Sequence, residues 1–107
     1  MVVHKYGGSS VATTEKILDI AKSLKEIYDK KEQIVVVVSA MGKTTNKLIS
    51  LAHEITSNPD KREMDRLMST GENQTIALLS IALNSLGVPS VSYTGEQLEI
   101  KTKGVHM

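Results

Sequence analysis

The sequence has no cysteine, phenylalanine or tryptophan, and only two prolines and three tyrosines among its 107 residues. Without cysteine there is no disulfide framework, no thiolate nucleophile and no Cys-ligated zinc site. So few aromatics exclude a stacking platform for single-stranded nucleic acid. Charge of one sign is also lacking: 13 Lys+Arg balance 12 Asp+Glu. Such a balance gives no electrostatic reason to expect nucleic acid or an anionic membrane as partner. No apolar run approaches the roughly 20 residues that span a bilayer. The opening MVVHKYGG is broken by charge and glycine before any apolar region develops, so it does not read as a secretion signal. The expectation is a soluble, cytoplasmic chain with neither a nucleic-acid nor a membrane partner. With 40% hydrophobic and 23% charged residues it has an ordinary globular composition. Its length allows one domain or part of one.

Two short runs rich in β-branched residues read as strands: Val2-Val3 within MVVHKY, and Ile34–Val38. The second is apolar throughout, which suits a parallel strand covered on both faces. Between them Ile17, Ile20, Ala21, Leu24, Ile27 and Tyr28 repeat at helical spacing and predict a helix over 13–30. Strand, helix and strand form a βαβ unit. Leu48, Ile49, Ala52 and Ile55 predict a second helix ending before Asn58-Pro59, with Asn58 as the next N-cap and Pro59 at the first helical position. Met64, Leu67 and Met68 mark the inner side of that helix. Residues 72–86 predict a very apolar helix, sandwiched between other elements and closed by Gly87. Pro89–Thr94 reads as a third strand and Leu98–Lys101 as a fourth. The class is α/β, a mostly parallel sheet with helices on both faces. The chain runs out through LEIKTKGVHM with no capping helix or closing strand, so residues 1–107 read as the first part of a larger domain.

Four clusters fall where α/β proteins place function, at the carboxyl ends of strands. In Lys5-Tyr6-Gly7-Gly8-Ser9-Ser10, two glycines let backbone N–H groups approach an anion while lysine and hydroxyls add charge and donors. The plain alternative is a tight strand-to-helix turn. Ser39-Ala40-Met41-Gly42-Lys43-Thr44-Thr45 contains GKT, but a phosphate loop of the Walker type needs glycine at position 37, which is Val37. A small-residue loop able to hold a carboxylate or phosphate remains, with Thr44 or Thr45 doubling as an N-cap. Ser69-Thr70-Gly71-Glu72 has the S-x-x-E spacing of a capping box. Thr94-Gly95-Glu96-Gln97 is a turn of little individual weight. Asn73-Gln74-Thr75 matches a glycosylation sequon that a cytoplasmic chain would not use. His4, His53 and His106 lack metal-ligand spacing and read as structural or solvent-exposed. Together the clusters suit a small anionic substrate meeting a phosphoryl donor.

The same residues resemble the aspartokinases of the amino-acid kinase superfamily. KYGGSSVAT resembles that family's K-F-G-G-T-S-V-A, and VVVVSAMGKTTNKLISLA its V-V-V-V-S-A-M-G-x-T-T-D-x-L. REMDRLMSTGENQTIALLSIAL resembles R-E-M-D-x-L-L-S-T-G-E-Q-x-S-I-A-L-L, and SYTGEQ a later S-x-T-G-x-Q. The order and spacing hold over nearly the whole chain. Tyr6, Asn46 and Asn73 are mild departures. Glu99 stands where glycine is common and puts the turn after Gln97 in doubt.

The resemblance implies transfer of phosphate from MgATP to the β-carboxylate of L-aspartate, the entry step to lysine, threonine, methionine and diaminopimelate synthesis. Lys5 is then expected to neutralise the transferring phosphoryl group, with Gly7, Gly8 and Ser9 donating to phosphate oxygens. Lys5 and Gly8 would be the catalytic pair. Ser39 and Thr45 would hold aspartate, and Glu72 would face its ammonium group or orient Lys5. No protein metal ligand is expected, Mg2+ arriving on ATP. An ionised carboxylate is already a competent nucleophile, so no general base is required. The resemblance also implies that the nucleotide half and the ACT regulatory domains lie outside these residues. The partner would then be the remainder of the enzyme chain or a second copy. Two other readings stand beside it: another carboxylate kinase of the superfamily, and a non-catalytic module using helix 72–86 as an interface.

Overall fold

The computed structural model describes residues 2–94. Their order is β1 (Val2–Tyr6), α1 (Thr14–Asp29), β2 (Ile34–Val38), α2 (Gly42–Ile55) and α3 (Lys61–Ser85). β1 and β2 pair in parallel, Val2 opposite Ile34 and Tyr6 opposite Val38. That register puts like against like. Tyr6, Ile34, Val36 and Val38 face the core, where they meet Ile17, Ile20, Ala21 and Leu24 of α1, Leu79 and Leu83 of α3, and Val88. The four α1 residues sit at i, i+3, i+4 and i+7, the stripe that a helix of this period buries. Thr13 starts the helix, its Oγ1 accepting from the Lys16 N–H at 3.1 Å.

The α/β class and parallel pairing match the sequence reading, but the cover differs. α1 and α3 pack on one face of the sheet. The other carries Val3, Val35 and Val37, which are 60%, 44% and 48% exposed. Five apolar residues in a row satisfy two buried faces, and among the described residues only one face is covered.

Residues 61–85 form one helix rather than two. Asp60 caps it, its carboxylate accepting from the Glu63 N–H at 3.0 Å, while the expected cap Asn58 donates its own N–H to Thr56 Oγ1. No capping box forms at Ser69–Glu72. Ser69 Oγ donates to the Asp65 carbonyl and Thr70 Oγ1 to that of Leu67, so both hydroxyls are satisfied inside a continuing helix. Gly87 does close the helix. At φ +83° it occupies the left-handed region, with Gly87 N–H on the Asn84 carbonyl and Val88 N–H on that of Leu83.

Pro89–Thr94 is not a strand. Asn84 has taken the backbone of Ser90: its Oδ1 accepts the Ser90 N–H at 2.9 Å and its Nδ2 donates to the Ser90 carbonyl at 3.2 Å. The Ser80 and Ser90 hydroxyls meet at 2.8 Å. A side-chain amide thus supplies both bonds that a neighbouring strand would have made. The predicted strand at Leu98–Lys101 lies outside the described residues. Replacing Asn84 with alanine is expected to speed amide exchange at Ser90 about tenfold, since one to two net hydrogen bonds at roughly 1 kcal/mol each are lost. Hydrogen-exchange mass spectrometry measures it.

Candidate active site at the strand ends

Strand pairing runs one step past the ladder: the Ser39 N–H donates to the Tyr6 carbonyl at 3.1 Å. The loops that follow the two strands therefore leave the sheet side by side. The first turns tightly, Ser10 N–H on the Gly7 carbonyl at 3.1 Å. Gly8 lies against the second loop so closely that a Cβ there would sit 3.2 Å from the Ala40 carbonyl oxygen and 3.5 Å from the Gly42 Cα. From the other side, a Cβ on Gly42 would reach the Gly8 carbonyl oxygen at 3.5 Å. α3 closes on the same place through Gly71, where an added Cβ would lie 3.0 Å from the Ala40 Cβ and 3.2 Å from the Thr44 Cγ2.

Backbone donors collect here. The N–H groups of Gly8 and Ser9 carry no hydrogen bond among the described residues. α2 begins at Gly42 with Met41 as its N-cap, a side chain that makes no cap hydrogen bond. Thr44 and Thr45 lie inside the helix and do not cap it. The first-turn N–H groups of Gly42 and Lys43 are left without a protein acceptor among the described residues, at the positive end of a 14-residue helix. Two sets of unbonded N–H groups thus lie close together, which suits anionic oxygen.

The predicted residues distribute around this region. Gly7, Gly8 and Ser9 form the first turn, Ser39 follows β2, and Thr45 is half-buried in α2. Glu72 follows Gly71 on α3 and is exposed. Lys5, opposite Val37 in the ladder, is exposed on the open face of the sheet. Lys5 and Glu72 form no ion pair; among the described residues that contact is Lys25–Asp29, at 2.8 Å. The third cluster is thus a helix segment rather than a loop, and of the fourth only Thr94 is described. His4 is half-buried: its ring stacks on Tyr6 with centroids 6.2 Å apart, and its buried Nε2 has no hydrogen-bond partner among the described residues. No group of three His, Asp or Glu able to hold a metal occurs among the described residues. Nor is any helix there long and apolar enough to cross a membrane.

Sequence reasoning missed Gly42 and Gly71 as the residues that let the loops and α3 meet. The available signal for Gly71 was a glycine inside a helix-period pattern, which costs about 1 kcal/mol unless packing requires it.

A parallel α/β layer with glycine turns and an uncapped helix start at its strand ends offers backbone donors suited to anionic oxygen. The chain belongs to the amino acid kinase family, whose model matches residues 1–106. It is 51% identical over 106 residues to Aspartate kinase Ask_LysC of Stutzerimonas stutzeri, covering 99% of this chain and 26% of that one. It is likewise 51% identical over 106 residues to Aspartokinase 2 of Bacillus subtilis, again covering 99% of this chain and 26% of the relative. A crystal structure of aspartate kinase from Synechocystis superposes with a TM-score of 0.84 at 49% identity, covering 86% of this chain and 16% of that one. The chain therefore spans about a quarter of the length of these curated relatives.

Gly71→Val tests the close approach of α3. Branched atoms have no room beside Ala40 and Thr44, and overpacking is expected to lower stability by about 1–3 kcal/mol, read from the urea midpoint.

Proposed function

We propose that these residues form the substrate-side part of an aspartate kinase, which transfers the γ-phosphoryl group of MgATP to the β-carboxylate of L-aspartate. A carboxylate oxygen attacks phosphorus and the bond to the ADP oxygen breaks, giving 4-phospho-L-aspartate and ADP. The observation that carries this reading is the contact between the two glycine turns at Gly8 and Gly42. It sets the Gly8 and Ser9 amides beside the uncapped start of α2, so that two anionic groups can be held next to one another. The 51% identity over 106 residues to proteins named aspartate kinase or aspartokinase supports aspartate as the substrate.

In this reading Gly7, Gly8 and Ser9 bind phosphate oxygens, and Lys5 offsets the charge that builds on the transferring group. Ser39, Thr45 and the first turn of α2 hold the aspartate, with Glu72 toward its ammonium group. Phosphoryl transfer asks little covalent chemistry of a protein, so positioning and charge carry the rate. Magnesium carried on ATP would supply further charge neutralisation beside Gly7, Gly8 and Ser9. The reaction would be the cytoplasmic entry to the lysine, threonine and methionine family of amino acids. The remainder of the enzyme chain, or a second copy, would complete the site.

The test is a hydroxamate assay on the full-length gene product with aspartate and glutamate in competition. Aspartyl hydroxamate is expected, and a preference for glutamate would overturn the assignment. Lys5→Ala is expected to lower kcat by about 10²–10³. Its unfolding free energy is expected to stay within about 0.5 kcal/mol of the parent, because the side chain is exposed. Undiminished turnover in that variant would remove Lys5 from the chemistry.

A further inference from the structure

A turn that offers N–H groups to an anion must dispose of its carbonyls, because the N–H and C=O of one peptide point in opposite directions. An unengaged carbonyl free to rotate toward the ligand would set its negative end against phosphate. In the first turn two carbonyls are engaged. That of Gly7 takes the Ser10 N–H at 3.1 Å, and that of Ser9 takes the ammonium group of Lys16 at 3.0 Å.

Lys16 is well placed to hold it. It lies in the first turn of α1, where the Thr13 cap fixes its backbone N–H, so the side chain starts from a rigid base. Beside it is a depression of about 420 Å³, lined by Tyr6, Ser9, Ser10, Asp19 and Ile20 as well as Lys16 itself. The contact therefore spans open space rather than a packed wall. No other described side chain bonds the backbone of residues 7–10.

We propose that Lys16 is a positioning residue for the phosphate-binding turn: its ammonium group holds the Ser9–Ser10 peptide by the Ser9 carbonyl, the Ser10 N–H of that peptide holds the Gly7 carbonyl, and the Gly7–Gly8 peptide is thereby kept with its Gly8 N–H toward the nucleotide. The proposal rests on the kinase reading for its ligand, but the ordering of the turn does not depend on any ligand. It acts through the backbone, and is distinct from the role given to Lys5.

The experiment uses the full-length gene product with Lys16→Met, which keeps the length of the side chain and removes the donor, and Lys16→Arg, which keeps a cationic donor. In nucleotide-free protein, amide exchange at Ser10, the turn's hydrogen-bonded N–H, is expected to rise about tenfold in Lys16→Met and to stay near the parent in Lys16→Arg, one charge-assisted hydrogen bond being worth that much. In the assay, KM for ATP is expected to rise about tenfold in Lys16→Met, with KM for aspartate within about twofold and recovery in Lys16→Arg. Unchanged exchange in Lys16→Met would overturn the proposal, as would a rise in KM for aspartate equal to that for ATP. If the parent enzyme fails to phosphorylate aspartate, the kinase reading falls, and the exchange measurement still decides the role of Lys16.

Discussion

Everything at the strand ends depends on backbone lying against backbone. Gly8, Ala40, Gly42 and Gly71 come from the two loops, the start of α2 and α3, and an extra carbon would press on the Ala40 carbonyl at Gly8 and on the Ala40 and Thr44 side chains at Gly71, so the neighbours would have to give way. The sheet supplies the first half of this constraint, because parallel strands in register release both following loops at the same edge. α3 supplies the second by pressing a glycine onto Ala40 and Thr44. The amides of Gly8, Ser9, Gly42 and Lys43, which carry no hydrogen bond among the described residues, lie beside that crowding.

The same helix ties the site to the core. Leu79 and Leu83 bury themselves against α1 and β2, and Gly71 lies two to three turns earlier on the same continuous rod. Packing in the core therefore fixes how far the rod advances toward the loops. Stability and site geometry share one element, and a change in the core at Leu79 would be felt at Ala40.

Much of this was legible in the residues. The 3.6-residue stripe of α1 and the β-branched run of β2 gave those elements nearly to their ends, and the loop motifs marked the turn at Gly7–Ser9. Other features were not local in origin. Ser69 and Thr70 look like cap residues, yet inside α3 their hydroxyls find carbonyls one turn back, and nothing in the local spacing distinguishes the two. Pro89–Thr94 has the composition of a strand, but at Ser90 the Asn84 amide takes the N–H and the carbonyl that strand pairing would use. The exposed valines of the sheet read as buried because composition records apolarity and not the presence of a cover. Gly71 was read as part of a turn, since its actual neighbours lie some thirty residues earlier in sequence.

That last separation has a temporal side. On a ribosome the chain is delivered from its amino end, and Lys5 can acquire its ladder neighbour Val37 only after α1 has been made. Gly8 waits for Ala40, and Ala40 waits for Gly71. Each contact of the site waits for a partner about thirty residues further along the chain, so the loops stay open to solvent and proteases until the middle of α3 has emerged. A ribosome pausing within residues 61–71 would hold the nascent protein with both glycine turns formed in sequence and unsupported in space.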